Sequence, residues 1–461
     1  MQANNPWEEQ YACLDSPDLI RARIVVKPAP LNGLNSAPPE TAVNLFYAAL
    51  ASSYIPTAAD INFIQMLIGS ARAHAREHYA DIKMFKRNLY AKDRELKPAS
   101  PYMLCGQAGV GKSALVSAIG RLFEQKNSVQ VEPLQEAWGL VPTHVVRILG
   151  TQSLAEVYRS FIDLGRVSPE DGSDAKELTD SLKPKGSAAQ LLLLALRRLY
   201  QTGCCLIGGD EFQFLSLSTS ANTLVTKTLL GLTYLCVPQF FVGNFSLLHR
   251  LLKRNAEEVQ RLLTKIVVLE PDPPGSEEWI AHLAEYQRLA ESVLDFPLSG
   301  ESHPLWNMTA GLKRNLLQLL TCAYRSTRQS GRYKISFQDV EDAYASPAFG
   351  VQRRDVELLI RQAIEGRPAR SDLWCPIEIR SPRRAQYRDA LISAREAKVA
   401  EASTKAALTA SENRIAQRIE KRGMPKVDQS PTTRGSKTRK EVTSATSLIQ
   451  AANLFTQSRK K

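Results

Sequence analysis

The sequence predicts an α/β fold: a five-stranded parallel sheet carrying a helical lid, an N-terminal helical arm and a disordered basic C-terminal tail. Three observations lead there. Short apolar runs alternate with helical ones from Tyr102 to Pro271. The strands then stop, and helical apolar spacing takes over. Finally, the charge is concentrated at one end. The formal net charge of the 461 residues is +12, and residues 381–461 hold 18 Lys+Arg against 7 Asp+Glu.

The strand–helix alternation is explicit. "YMLCG" precedes "KSALVSAIGRLF", "THVVRILG" precedes "SLAEVYRSFIDL", and "CCLIGGDE" precedes "TLVTKTLLGLTYL". "QFFVGN" precedes "SLLHRLLKRNAEEVQRLL", and "KIVVLEP" closes the series. Strands joined by helical crossovers pair in parallel, with helices on both faces. Residues 1–95 read as a Pro-punctuated arm followed by helices, 96–272 as the α/β core and 273–366 as a helical lid. Residues 367–461 read as a basic, largely disordered tail with one helix at 385–422. "SLIQAANLF" (447–455) is an apolar island in that tail.

Composition excludes several classes. No run of eighteen apolar residues is present, so no membrane-spanning helix is expected. The N-terminus lacks the basic flank and apolar core of a signal peptide. The seven cysteines form no CxxC, which points to a reducing cytoplasm; Cys204 and Cys205 read as small core hydrophobes. "HAREH" (74–78) matches a zinc-protease pattern, but it lies in an amphipathic helix with no third ligand nearby. No G-x-S-x-G occurs. The basic tail favours a polyanion, above all nucleic acid.

"GQAGVGKS" (106–113) follows a strand and opens a helix, the context of a phosphate-binding Walker A loop. Residues Gly106, Gln107, Ala108, Gly109, Val110, Gly111, Lys112, Ser113 and Ala114 are the candidate ATP-binding residues. The glycines let backbone N–H groups crowd a phosphate. Lys112 neutralises its β/γ oxygens, and Ser113 offers a hydroxyl to Mg²⁺. Asp210 and Glu211 close a neighbouring strand. Asp210 is the second candidate for the Mg²⁺ shell, and Glu211 is the candidate general base. Gly208 and Gly209 stand where bulky aliphatics are expected, which weakens the strand but permits close approach.

Asn244 ends "QFFVGN". If its strand lies between the other two, its amide reaches both the γ-phosphate and the attacking water. It is also a good helix N-cap, though Ser246 caps equally well and frees it. Arg250, Lys253, Arg254 and Arg261 follow. In a ring or filament of such domains, an arginine at this end of the helix points at the neighbouring copy's nucleotide, with Arg261 the first candidate and Arg254 the second. The alternative is i,i+4 pairing such as Arg254 with Glu258. In the lid, Lys313 and Arg314 fall in the first turn of a helix. Cations there oppose the dipole and need an anion, which a bound phosphate supplies.

Together these motifs resemble an AAA+ ATPase. "FFVGNFSLLHRLLKRNAEEVQRLLTKIVVLEPDPP" resembles, more narrowly, the TnsC/TniB family of transposon-encoded AAA+ regulators over residues 95–345. The resemblance implies ATP-bound protomers that assemble as rings or helical filaments on double-stranded DNA. It also implies that they link a TniQ- or TnsD-like target selector to a TnsA/TnsB-like transposase. Glu211 and a neighbour's arginine would then drive hydrolysis and disassembly. DNA contacts in that family line the channel; the loop 166–186, with Lys176, Lys183 and Lys185, is the candidate here. Two other readings stand: an AAA+ initiator or helicase loader, and a nucleotide-gated scaffold with negligible turnover.

Overall fold

The computed structural model describes residues 5–12, 14–90, 97–123, 127–130, 137–147, 153–164, 186–210, 219–378, 381–407 and 412. Residues 1–398 form one compact unit and 399–461 a second. Glu211, the loop lysines Lys176, Lys183 and Lys185, and the apolar island 447–455 lie outside the described residues.

The five predicted strands are present: β1 (Tyr102–Gly106), β4 (Thr143–Arg147), β5 (Leu206–Asp210), β6 (Gln239–Gly243) and β7 (Lys265–Leu269). They pair in the order β4-β5-β6-β1-β7, all in parallel. The last strand, β7, is thus beside the first, β1, and β6 separates β1 from β5. A two-stranded antiparallel ribbon, β2 (Asn127–Gln130) with β3 (Ala137–Leu140), was not foreseen.

Apolar side chains leave the sheet on both faces. Leu104, Leu206, Phe240, Val242 and Leu269 join one buried cluster; Met103, Cys105, Ile207 and Phe241 join another. This two-residue alternation inside continuous apolar strands is what a sheet covered on both sides requires. Cys204 and Cys205 are fully buried beside it.

The first face is covered by helix α6 (Lys112–Leu122) and by the N-terminal helices, chiefly α4 (Ala58–His78). Thr57 and Asp60 start α4 with a reciprocal capping box. Phe63 of α4 meets the Phe240 ring edge-on at 6.0 Å. The N-terminal arm is packed rather than loose. Trp7 stacks on Tyr79 at 5.4 Å, and the Tyr11 hydroxyl donates to the Pro142 carbonyl at 3.2 Å.

After β7 the chain is helical, from α12 (Glu277–Leu289) through α14 (Lys313–Gln329) to α16 (Gly350–Glu365). These helices pack on the arm. Phe46 lies 4.8 Å from the Tyr324 ring, and Arg328 donates to the Leu34 carbonyl at 2.6 Å.

Order extends past the end expected at 366. Leu373, Cys375, Tyr387, Leu391 and Ala394 are all buried, and a helix α17 spans Pro382–Ala407. The Pro- and Arg-rich composition concealed this, because five buried apolar side chains suffice to anchor the segment. Among the described residues no helix is long and apolar enough to cross a membrane.

Candidate nucleotide site

The site begins where β1 ends. Gly109 and Gly111 adopt φ of 87° and 112°, a region that side chains disfavour. The loop between them turns the chain into the N-terminus of α6, where free first-turn N–H groups favour an anion. Two glycines are also required by space. A Cβ on Gly106 would stand 2.6 Å from the Leu269 carbonyl oxygen of β7. One on Gly109 would stand 2.9 Å from the Arg314 side chain. The Lys112 ammonium folds back over this loop, donating to the carbonyls of Gly106 at 2.8 Å and Gln107 at 2.7 Å. Ala108, Ser113 and Ala114 are exposed, whereas Gln107 and Val110 are buried.

Asp210 is buried at the end of β5. Its strand needs Gly208 for a side-chain reason rather than a backbone one. A Cβ there would lie 2.4 Å from the Phe240 ring, which fills the space from β6. Strand order sets Asn244, just past β6, between the phosphate loop and Asp210; Gly243 pairs with Cys105 of β1. Lys112, Asn244 and Asp210 therefore share the C-terminal edge of the sheet, where ligands of parallel sheets bind.

Asn244, not Ser246, caps helix α10 (Phe245–Leu251): its Oδ1 accepts from the Leu247 N–H at 3.0 Å. The expectation that Ser246 frees Asn244 is corrected. The reason is position: Ser246 is already the second residue of α10, so Asn244 alone stands at the N-cap. The cap uses only the oxygen, so the amide's two N–H donors remain for another partner.

The lid reaches the same loop. The Arg314 N–H donates to the Gly109 carbonyl at 3.2 Å, so the first turn of α14 rests on the loop. Lys313 has found its anion inside the protein: its Nζ lies 3.6 Å from Asp272 Oδ2, while Arg383 pairs with Oδ1 of the same carboxylate. This corrects the expectation of a phosphate partner for Lys313. Asp272 is buried, and burial pushes its carboxyl above the usual range against the pull of Lys313 and Arg383. Arg314 is exposed and, among the described residues, has no ion pair.

The candidate trans arginines are both in helical pairs: Arg254 with Glu258 at 2.7 Å and Arg261 with Glu257 at 2.8 Å. The Arg261 pair is exposed and the Arg254 pair half-buried; an exposed i,i+4 pair is worth about 0.3–0.5 kcal/mol and releases easily. Arg261 ends helix α11 (Ala256–Leu262), just before Lys265 at the start of β7. Lys265 pairs with Tyr102, at the opposite edge from Gly106. The chain thus enters β7, four residues after Arg261, at the end of the sheet opposite its own phosphate loop.

Sequence reasoning missed the segment Gly366–Glu378, which crosses this edge. The buried Gln107 side chain donates to the Leu373 carbonyl at 3.4 Å, and a His249 ring nitrogen lies 3.0 Å from the Trp374 carbonyl. Beneath it lies a cavity of about 850 Å³ whose lining includes Gln107, Phe245, Leu269, Gln362, Trp374 and Tyr387. The only signal in the sequence is the short apolar run "LWCPI" among prolines and arginines.

No family model matches the chain, and no curated protein matches it. Among solved structures it is similar to the ORC2 protein of Aeropyrum pernix in its ADP form (16% identity, TM-score 0.37, 68% of this chain and 78% of that one). It is also similar to the Aeropyrum pernix ORC1 protein in complex with DNA (16%, 0.34, 64% and 69%). A third is the Thermotoga maritima RuvB Holliday junction branch migration motor (13%, 0.34, 66% and 75%). Likenesses this faint decide nothing further. Strand order and the loop geometry carry the assignment: an α/β, five-stranded parallel fold consistent with an AAA+ P-loop NTPase.

Proposed function

We propose that the chain is an AAA+ ATPase that binds Mg²⁺–ATP and works on double-stranded DNA. The observation that carries this is the convergence of Lys112, Asn244 and Asp210 on one sheet edge, with Arg314 brought to the same loop by the lid. The glycine cradle and the helix N-terminus suit a triphosphate. Ser113 and Asp210 would hold Mg²⁺, which supplies charge neutralisation between the phosphates. Lys112 orients the transferred phosphate, and the Asn244 amide N–H donates to it. Glu211, next after Asp210, acts as general base on the attacking water.

The finer reading is a regulator of DNA transposition that oligomerises on DNA and links a TniQ- or TnsD-like selector to a transposase. It is supported by the sequence from Phe240 to Pro274 and by a basic C-terminal segment suited to a polyanion. A replication-initiator or helicase-loader role is the competing reading. ATP turnover with and without duplex DNA, in the wild type and in Glu211→Gln, tests the enzyme. Absence of both DNA stimulation and a mutant effect overturns it. Electron microscopy with DNA and a non-hydrolysable ATP analogue tests assembly, which is rejected if no rings or filaments form.

A further inference from the structure

One backbone carbonyl joins the core to the lid. Leu373 O accepts from Gln107 Nε2 of the phosphate loop at 3.4 Å and from Gln362 Nε2 of lid helix α16 at 3.5 Å. Both bonds are at the long end of the hydrogen-bonding range, so a shift of a few tenths of an ångström breaks one of them. On the lid side, Gln362 Oε1 also accepts from the N–H groups of Ala369 at 2.8 Å and Arg370 at 2.9 Å. On the core side, Trp374 is held by His249, and Cys375 and Ile377 pack against the sheet's second face. Beyond them Ser381 donates to Glu270 at 3.0 Å, and Arg383 pairs with Asp272 and Glu278, at the start of α17.

We propose that residues Gly366–Glu378 form a strap through which nucleotide at the phosphate loop controls the hold on helix α17. The proposal rests on the ATP reading above. The strap is rooted in the lid by Gln362 and ends in the core at His249. Any change in lid–core spacing must therefore be taken up along it. The Arg314 contact with Gly109 makes lid position sensitive to what the loop holds. The cavity beneath lets the strap shift without the resistance of a filled core. Helix α17 precedes the basic C-terminal segment in the sequence, so a changed hold on it bears on the part of the chain suited to a polyanion.

The test is amide hydrogen exchange on the full chain, with and without a non-hydrolysable ATP analogue. Binding is followed separately with a fluorescent ATP analogue. In the wild type the analogue changes exchange in 366–378 by about tenfold. Gln362→Leu removes three bonds to the strap and touches no nucleotide-site residue. It raises basal exchange there, abolishes the nucleotide response, and leaves analogue affinity within about threefold. His249→Phe frees the core end and does the same if the first variant does not fold. Analogue binding with no change in strap exchange overturns the coupling and leaves the ATP reading standing. No analogue binding at millimolar concentration overturns both.

Discussion

The Arg314 side chain lies against Gly109, and its backbone N–H donates to the Gly109 carbonyl at 3.2 Å, while the neighbouring Lys313 side chain turns away to buried Asp272. Adjacent cations in one helical turn thus have different tasks. Arg314→Ala is expected to weaken nucleotide binding about tenfold with little change in stability. Lys313→Ala is expected to cost about 1–3 kcal/mol of stability, because the buried carboxylate loses a partner, and to leave affinity nearly unchanged. Fluorescent-nucleotide titration and urea unfolding separate the two. The same loss in both assays for both variants would count against the division.

Asn244 offers a second separation. Asp is as good an N-cap as Asn, so Asn244→Asp is expected to unfold within about 0.5 kcal/mol of wild type. It lacks the amide donors and, at the proposed site, sets a negative charge toward the γ-phosphate. ATP turnover is therefore expected to fall about a hundredfold. Asn244→Ala should lose both the turnover and about 1 kcal/mol of helix capping. Wild-type turnover in Asn244→Asp would show that the residue is only a cap.

Much of this site was legible because local rules wrote it. A strand, a glycine loop and a helix are contiguous at 102–122, so spacing alone revealed them. The sheet was legible because its strands are continuous apolar runs. What escaped depended on distant partners. Gly208 looked like a weakness in β5 until the ring of Phe240, its partner on the adjacent strand, was seen to need its space. The anion for Lys313 is Asp272, which sits before the lid. The strap was hidden because its hold on the core comes from Gln107 and His249, far away in sequence, while its own composition reads as loop. The β2–β3 ribbon carries little apolar alternation to announce it.

The Gly208–Phe240 contact gives a third prediction. Gly208→Ala sets a methyl group within 2.4 Å of the ring, so either strand or ring must shift. The expected cost is about 1–3 kcal/mol. Phe240→Leu alone loses core volume, but it opens the space that the methyl group needs. The double variant should therefore be more stable than the sum of the single losses by about 1 kcal/mol. Urea unfolding of all four proteins measures this, and strict additivity would refute the contact.

His282 on α12 gives the pH prediction. Burial, with Lys313 adding to it, pushes its imidazole down to about 3. Among the described residues its Nε2 has no hydrogen-bond partner, and its ring lies 4.3 Å from Tyr286. The folded state therefore holds this histidine neutral where the unfolded chain protonates it. Below the ordinary value of 6.5, unfolding takes up a proton, so stability is lost as pH falls from 6.5 towards 3. From this residue alone the loss is about 2 kcal/mol by pH 5. His282→Phe keeps an aromatic ring among Trp279 and Tyr286 and removes the titration. Its stability should fall less than that of the wild type between pH 7 and pH 5, by about that amount. Parallel slopes for the two proteins in urea unfolding across this range would show that His282 titrates normally in the folded chain.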